Sequence, residues 1–184
     1  FNYAFGSGRK GTVSRLQELG KNLGFAVHVL APFEMDGEPV SSTRIRQAVV
    51  SGRLKYAASL LSRPYSISGY VRRGQGLGHQ WGVATANFRP PANKALPPFG
   101  VYASTVSCGD GMFRAITNIG KRPSVQSDGH IHVETHILDF KKELYDQHLD
   151  VYLMDFIRSE RKFSSLEALY AQIGKDIQTR RDMI

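Results

Sequence analysis

Between Val71 and Asn87 the chain reads Val-Arg-Arg-Gly-Gln-Gly-Leu-Gly-His-Gln-Trp-Gly-Val-Ala-Thr-Ala-Asn. Four glycines, Gly74, Gly76, Gly78 and Gly82, fall within nine residues. A hydroxyl and a carboxamide two apart, Thr85 and Asn87, follow them. Glycine lets backbone N–H groups approach a phosphate closely. Thr and Asn offer hard oxygen ligands of the kind Mg²⁺ accepts. The combination points to a nucleoside triphosphate site, and equally describes a glycine-loosened hairpin in a small barrel. It is not a P-loop, because no Gly-Lys-Ser/Thr follows. It is not a Rossmann turn, because the glycines do not open a helix.

The elements that must position these groups change character near Arg63-Pro64. Upstream the pattern is α/β. Thr12 caps a helix running to Leu23, and Gly24 ends it. Phe25-Ala-Val-His-Val-Leu30 reads as a buried strand, and Pro32 to Pro39 as a loop. Ser41-Ser42-Thr43 opens a helix with Ile45, Ala48 and Val49 on one face. Gly52 breaks it, and a second helix spans Leu54 to Leu61. Downstream the pattern is all-β: Tyr65–Arg72, Ala84–Phe88, Gly100–Ser107, Met112–Ile119, His132–Phe140 and Leu149–Arg158. Cys108-Gly-Asp-Gly111 is a hairpin signal. Six closely spaced strands predict a small closed barrel. Ser164-Ser-Leu-Glu167 reads as a capping box opening a last helix, with Leu166, Leu169, Ile173 and Ile177 on one stripe.

The chain has 184 residues and a net charge of +8. Residues 1–63 hold nine Lys/Arg against four Asp/Glu, and residues 64–184 fifteen against twelve, so the positive excess is denser upstream. Such a surface suits polyanions, whether nucleotides, pyrophosphate or nucleic acid. No apolar run approaches the ~20 residues of a membrane span, and no signal peptide is recognisable. The sole cysteine, Cys108, lies in a β-patterned run. It reads as a core residue in a protein of the reducing cytoplasm. The first residue is Phe1 rather than Met, as expected of a processed, excised or partly represented chain.

Placed in order, these segments resemble a known family. Residues 64–184 are similar to the riboflavin kinase domain, which is C-terminal in bacterial bifunctional FAD synthetases. The matching stretches are Arg63-Pro-Tyr, the Gly-rich loop into Thr85-Ala-Asn87, Leu96-Pro-Pro-Phe-Gly-Val-Tyr-Ala103 and Thr117-Asn-Ile-Gly-Lys-Arg-Pro123. Val133-Glu-Thr-His-Ile-Leu-Asp-Phe140 and Ile157-Arg-Ser-Glu-Arg-Lys-Phe163 complete them. Residues 1–63 resemble the later part of the FMN adenylyltransferase domain, through Phe5-Gly-Ser-Gly-Arg-Lys-Gly11 and Ser41-Ser-Thr-Arg-Ile-Arg46. The resemblance implies a mainly β fold: a six-stranded antiparallel Greek-key barrel with a C-terminal helix, preceded by a partial, nucleotidyltransferase-like α/β segment.

The resemblance also implies the reaction ATP + riboflavin → FMN + ADP with Mg²⁺, and a role for each matched residue. Glu134 is the general base for the ribityl 5′-hydroxyl. Thr85 and Asn87 are the Mg²⁺ and ATP ligands, and Gly74, Gly76 and Gly78 the flap over the phosphates. Ile137, Asp139 and Tyr145 line the adenine side, and Arg158, Arg161 and Phe163 the flavin side. Arg9, Ser42, Thr43, Arg44 and Arg46 match adenylyltransferase positions whose partner motifs are absent from this sequence, so no FMN adenylylation is expected of this chain alone. Two residues depart from the family pattern. Ala84 stands where Pro is usual, and His79, a flap residue on the ATP side, where Arg or Lys is usual. Weaker ATP binding is expected, with phosphate attraction returning below about pH 6.5 as His79 protonates. A flavin-binding remnant without turnover and a basic nucleic-acid-binding barrel are the competing readings.

Overall fold

The computed structural model describes residues 3–72, 85–109, 111–121 and 130–183. Gly74, Gly76, Gly78, His79, Gly82 and Ala84 lie outside the described residues. Two compact units are present, Phe1–Ser41 and Ser42–Ile184.

In the first unit, helix α1 (Val13–Leu23) starts and stops as its sequence dictates. Thr12 accepts from the Arg15 backbone N–H at 3.3 Å, and Gly24 ends the helix at φ 79°. Asp36 and Gly37, both at positive φ, turn the chain between the two-residue strands β1 (Glu34–Met35) and β2 (Glu38–Pro39). The strand expected over 25–30 does not form. Phe25, Val29 and Leu30 are 45%, 44% and 81% exposed. An apolar run becomes a strand only when a neighbour completes its hydrogen-bond ladder, and no described residue does so here.

In the second unit, α2 (Ser42–Val50) and α3 (Leu54–Leu61) meet at Gly52, whose φ of 76° suits only glycine comfortably. Their buried residues Ala48, Val49, Leu54 and Ala57 share one core with Tyr65 and Ile67, so these helices pack on the sheet that follows. The change of composition at Arg63-Pro64 is a change of secondary-structure type within this unit.

Among the described residues the sheet has six strands: β3 (Tyr65–Tyr70), β4 (Ala86–Phe88), β5 (Gly100–Cys108), β6 (Gly111–Lys121), β7 (Ile131–Ile137) and β8 (His148–Ser159). Their order is β3-β8-β5-β6-β7-β4, with every pair antiparallel. The meander β5-β6-β7 with β8 returning beside β5 is a Greek key. Among the described residues the sheet curls until its edges meet at the bridge of Arg72 with Asn87, and the expected barrel is a curled half-barrel. Irregularities between β5 and β8 add to the curl.

Alternation sends Ile67, Phe88, Tyr102, Ile119, Val133, Leu149 and Val151 inside. Cys108 is a free, buried core residue, as expected. Three buried hydroxyls satisfy one another across β5, β6 and β7: Ser104 with Thr117 at 2.8 Å, and Thr117 with Thr135 at 3.0 Å. Helix α4 (Leu166–Asp182) covers part of the outer face. Its N-cap is Ser165 rather than Ser164: the Ser165 hydroxyl accepts from the Ala168 N–H at 3.2 Å. The Glu167 carboxyl is held below the usual carboxylate range by its own backbone N–H and by the Ser165 hydroxyl. The helix buries Asp176 and Arg180; of the expected apolar stripe, Leu169, Ile173 and Ile177 are half-buried and Leu166 is 51% exposed. Arg180 is accommodated because its Nε donates to the Ser104 carbonyl at 3.1 Å. Among the described residues no helix is long and apolar enough to cross a membrane.

Candidate functional site

A cleft of about 240 Å³ lies on the outer face of the half-barrel, beneath α4. Its floor comes from β5, β6 and β7, through Val101, Ile116, Asn118, Glu134 and His136. Its walls come from β8, the turn after it and α4.

Strand register sets the order of the polar groups. Asn87 pairs with Glu134, Glu134 with Asn118, Asn118 with Val101, and Val101 with Arg158. Residues opposed across a ladder share a face. The five positions therefore form one transverse row, about 19 Å long at ~4.8 Å per strand. Thr85 stands beside the Asn87 end, where the Asn87 amide donates to its hydroxyl and to its carbonyl, each at 3.1 Å. The shared face expected of Thr85 and Asn87 is therefore present. A second opening, of about 500 Å³, is lined by Tyr70, Val71, Arg72 and Asp146, where the chain enters the Gly-rich stretch.

At the far end of the row the guanidinium of Arg158 is held by Asp176. Its Nε contacts both carboxylate oxygens at 3.0 Å, and Nη2 contacts Oδ2 at 2.8 Å. Gln172 donates to Asp176 Oδ1 at 2.7 Å and accepts from Arg161. Both arginines face the Phe163 ring, at 5.8 Å for Arg158 and 5.0 Å for Arg161. The sequence reading assigned Arg158, Arg161 and Phe163 to one side of a site, and the fold brings them together. It did not find Asp176, Gln172, Asn118 or Glu160. Asp176 and Gln172 flank the apolar stripe of α4, and their i, i+4 spacing is the sequence signal that puts them on one helix face.

Other expected positions lie elsewhere. Ile137 is buried and follows the core-facing alternation of β7. Asp139, at φ 57°, pairs with Arg181 at 2.7 Å on the surface, and Tyr145 is 37% exposed. None of the three lines the cleft among the described residues. Arg44 donates to the Tyr56 hydroxyl, and the guanidiniums of Arg44 and Arg53 lie over the Tyr56 ring at 5.5 and 5.2 Å. Ser42 and Thr43 are exposed in the first turn of α2, and Arg46 is exposed one turn on. Arg9 belongs to the other unit, where it is exposed in a 3₁₀ turn.

Fold and site define a small antiparallel half-barrel with an outer cleft, the side-chain oxygens of Thr85 and Asn87 at one end and an aromatic ring flanked by guanidiniums at the other. The family model described as riboflavin kinase matches residues 61–184, and that described as FAD synthetase matches residues 1–44. The chain is 39% identical over 180 residues to the bifunctional riboflavin kinase/FMN adenylyltransferase of Pseudomonas fluorescens, covering 98% of this chain and 58% of that protein. The Escherichia coli K12 protein of the same description is 39% identical over 182 residues, with the same coverage. A crystal structure described as a macrolide-efflux protein from Streptococcus pneumoniae matches with a TM-score of 0.80 and 33% identity, covering 100% of this chain and 59% of that one. This chain belongs to the riboflavin kinase family. It spans 58% of the length of the two curated relatives.

Proposed function

We propose that this chain transfers the γ-phosphoryl group of ATP to the ribityl 5′-hydroxyl of riboflavin, giving FMN and ADP. The observation that carries the reading is the transverse row: oxygen ligands at Asn87, a carboxylate at Glu134, and the Arg158–Phe163 end beyond. In-line phosphoryl transfer needs positioning and charge neutralisation more than covalent chemistry. Glu134 accepts the proton of the 5′-hydroxyl as the oxygen bonds to phosphorus. The flavin ring stacks on Phe163, with its polar edge toward the guanidiniums. Residues 64–184 form the kinase domain, residues 1–63 correspond to the adenylyltransferase, and the cytoplasm is the compartment.

The donor set fits Mg²⁺. Thr85 and Asn87 offer a hydroxyl and a carboxamide, and Mg²⁺ is commonly held by few protein oxygens together with substrate phosphates. Those two residues would hold it, and when bound it neutralises charge on the phosphates. Glu134 orients and deprotonates the hydroxyl, and Arg158 and Arg161 position the ring.

The test is FMN production from riboflavin, ATP and Mg²⁺ by the purified chain, beside Glu134→Gln. Removal of a general base lowers kcat by about 10²–10⁴-fold. No FMN from folded wild-type protein, or an equally active Glu134→Gln, would overturn the proposal.

A further inference from the structure

Asn118 stands in the middle of the row, between Glu134 on one neighbouring strand and Val101 on the other. Its Nδ2 donates to Glu160 Oε1 at 3.3 Å. Among the described residues, its Oδ1 is the one buried side-chain polar atom without a hydrogen-bond partner. An orphaned carbonyl oxygen carries the cost of its lost hydration, and so calls for an explanation.

The orientation of the amide follows from chemistry. A carboxylate accepts and does not donate, so the nitrogen of Asn118 must face Glu160. Glu160 is close because residue 120 is glycine: a Cβ there would lie 1.8 Å from Glu160 Oε1. Gly120 and Glu160 thus hold the Asn118 amide so that its oxygen is left for a donor. The side chain lines the cleft. The χ2 torsion of Asn is broad, so a modest rotation presents Oδ1 to a group entering there.

We propose that Asn118 is a substrate-binding residue whose Oδ1 accepts a hydrogen bond from a hydroxyl of the polyol chain of the substrate. The order of the row says which part of the substrate it meets. Glu134 marks the reacting hydroxyl and Arg158 the ring end, and Asn118 lies between them. A ribityl chain carries hydroxyl donors over that interval. The inference rests on the riboflavin kinase reading and adds a contact that favours a hydroxylated chain over an alkyl one.

The full chain is titrated with riboflavin and with lumiflavin, the same ring system bearing a methyl group in place of the ribityl chain. Flavin fluorescence is the readout. In Asn118→Ala the riboflavin dissociation constant rises about five- to tenfold, as for loss of one hydrogen bond. Lumiflavin affinity is unchanged. Equal weakening for both flavins, or for neither, overturns the inference while wild-type FMN production leaves the kinase reading standing. Wild-type protein that neither binds riboflavin nor makes FMN overturns both. Glu160→Gln carries the test if Asn118→Ala does not fold. Freed to reverse, the amide is correctly oriented about half the time, which weakens riboflavin about twofold and spares lumiflavin, and an unchanged riboflavin affinity overturns the inference.

Discussion

Replacing Asp176 with Asn tests whether the Arg158 end of the cleft is held by charge. Asp176 is 2% exposed and Arg158 19% exposed. Three contacts between 2.8 and 3.0 Å join them, and Gln172 fills Asp176 Oδ1 at 2.7 Å. The amide of Asn would turn an N–H toward either the guanidinium or the Gln172 donor. Gln172 cannot reverse without losing Arg161. Breaking a buried pair by removing one charge costs about 3–5 kcal/mol. The residual exposure of Arg158 places the loss at the lower end, about 3 kcal/mol. For a chain of this size that lowers the melting temperature by about 6–12 °C. Calorimetry and urea unfolding read the loss directly, and the riboflavin KM rises because the Arg158 guanidinium over Phe163 loses its anchor. The double variant Arg158→Met/Asp176→Leu regains most of the stability, since a well-packed apolar pair removes both desolvation costs, but not the riboflavin KM. A single variant within about 1 kcal/mol of wild type, or a double variant no more stable than the single, would refute the reasoning.

Burial pushes the Tyr102 phenol from 10.0 up to about 12. Because the folded value lies above the unfolded one, the contribution of the neutral phenol is intact below about pH 10 and is lost as pH rises toward 12. Stability falls by up to about 2–3 kcal/mol over that window. Tyr102→Phe should remove most of this alkaline limb, and a limb equal to wild type in denaturant titrations would count against the assignment. Burial also raises the Tyr65 phenol, against the opposing charge of Arg46, so it acts in the same direction. Gly69→Ala would place a Cβ 2.4 Å from the Phe88 ring, which is 2% exposed. Overpacking of this kind costs about 1–3 kcal/mol, and an unchanged urea midpoint would show that the ring gives way freely.

The local part of this architecture was legible in the residues. Thr12 and Gly24 bound α1, Gly52 separates α2 from α3, and period-2 alternation locates six strands. These signals depend on neighbours within a few positions, so they survive without tertiary information. Thr85 and Asn87 were placed on one face by the same alternation. Three features were not legible. Residues 25–30 have the composition of a strand, but a strand needs a ladder partner. The cap of α4 fell on Ser165 because two adjacent serines offer the same chemistry. The cleft itself depends on register between strands far apart in sequence. That register sets Glu134 opposite both Asn87 and Asn118, and Arg158 opposite Val101. The sequence by itself determined which side-chain types are available for chemistry and which way each strand faces, because side-chain direction follows local backbone geometry. Only the tertiary structure decided their order across the cleft, the orphaned oxygen of Asn118 and the partnership of Arg158 with Asp176, because hydrogen-bond neighbours across a sheet are chosen by packing of the whole half-barrel.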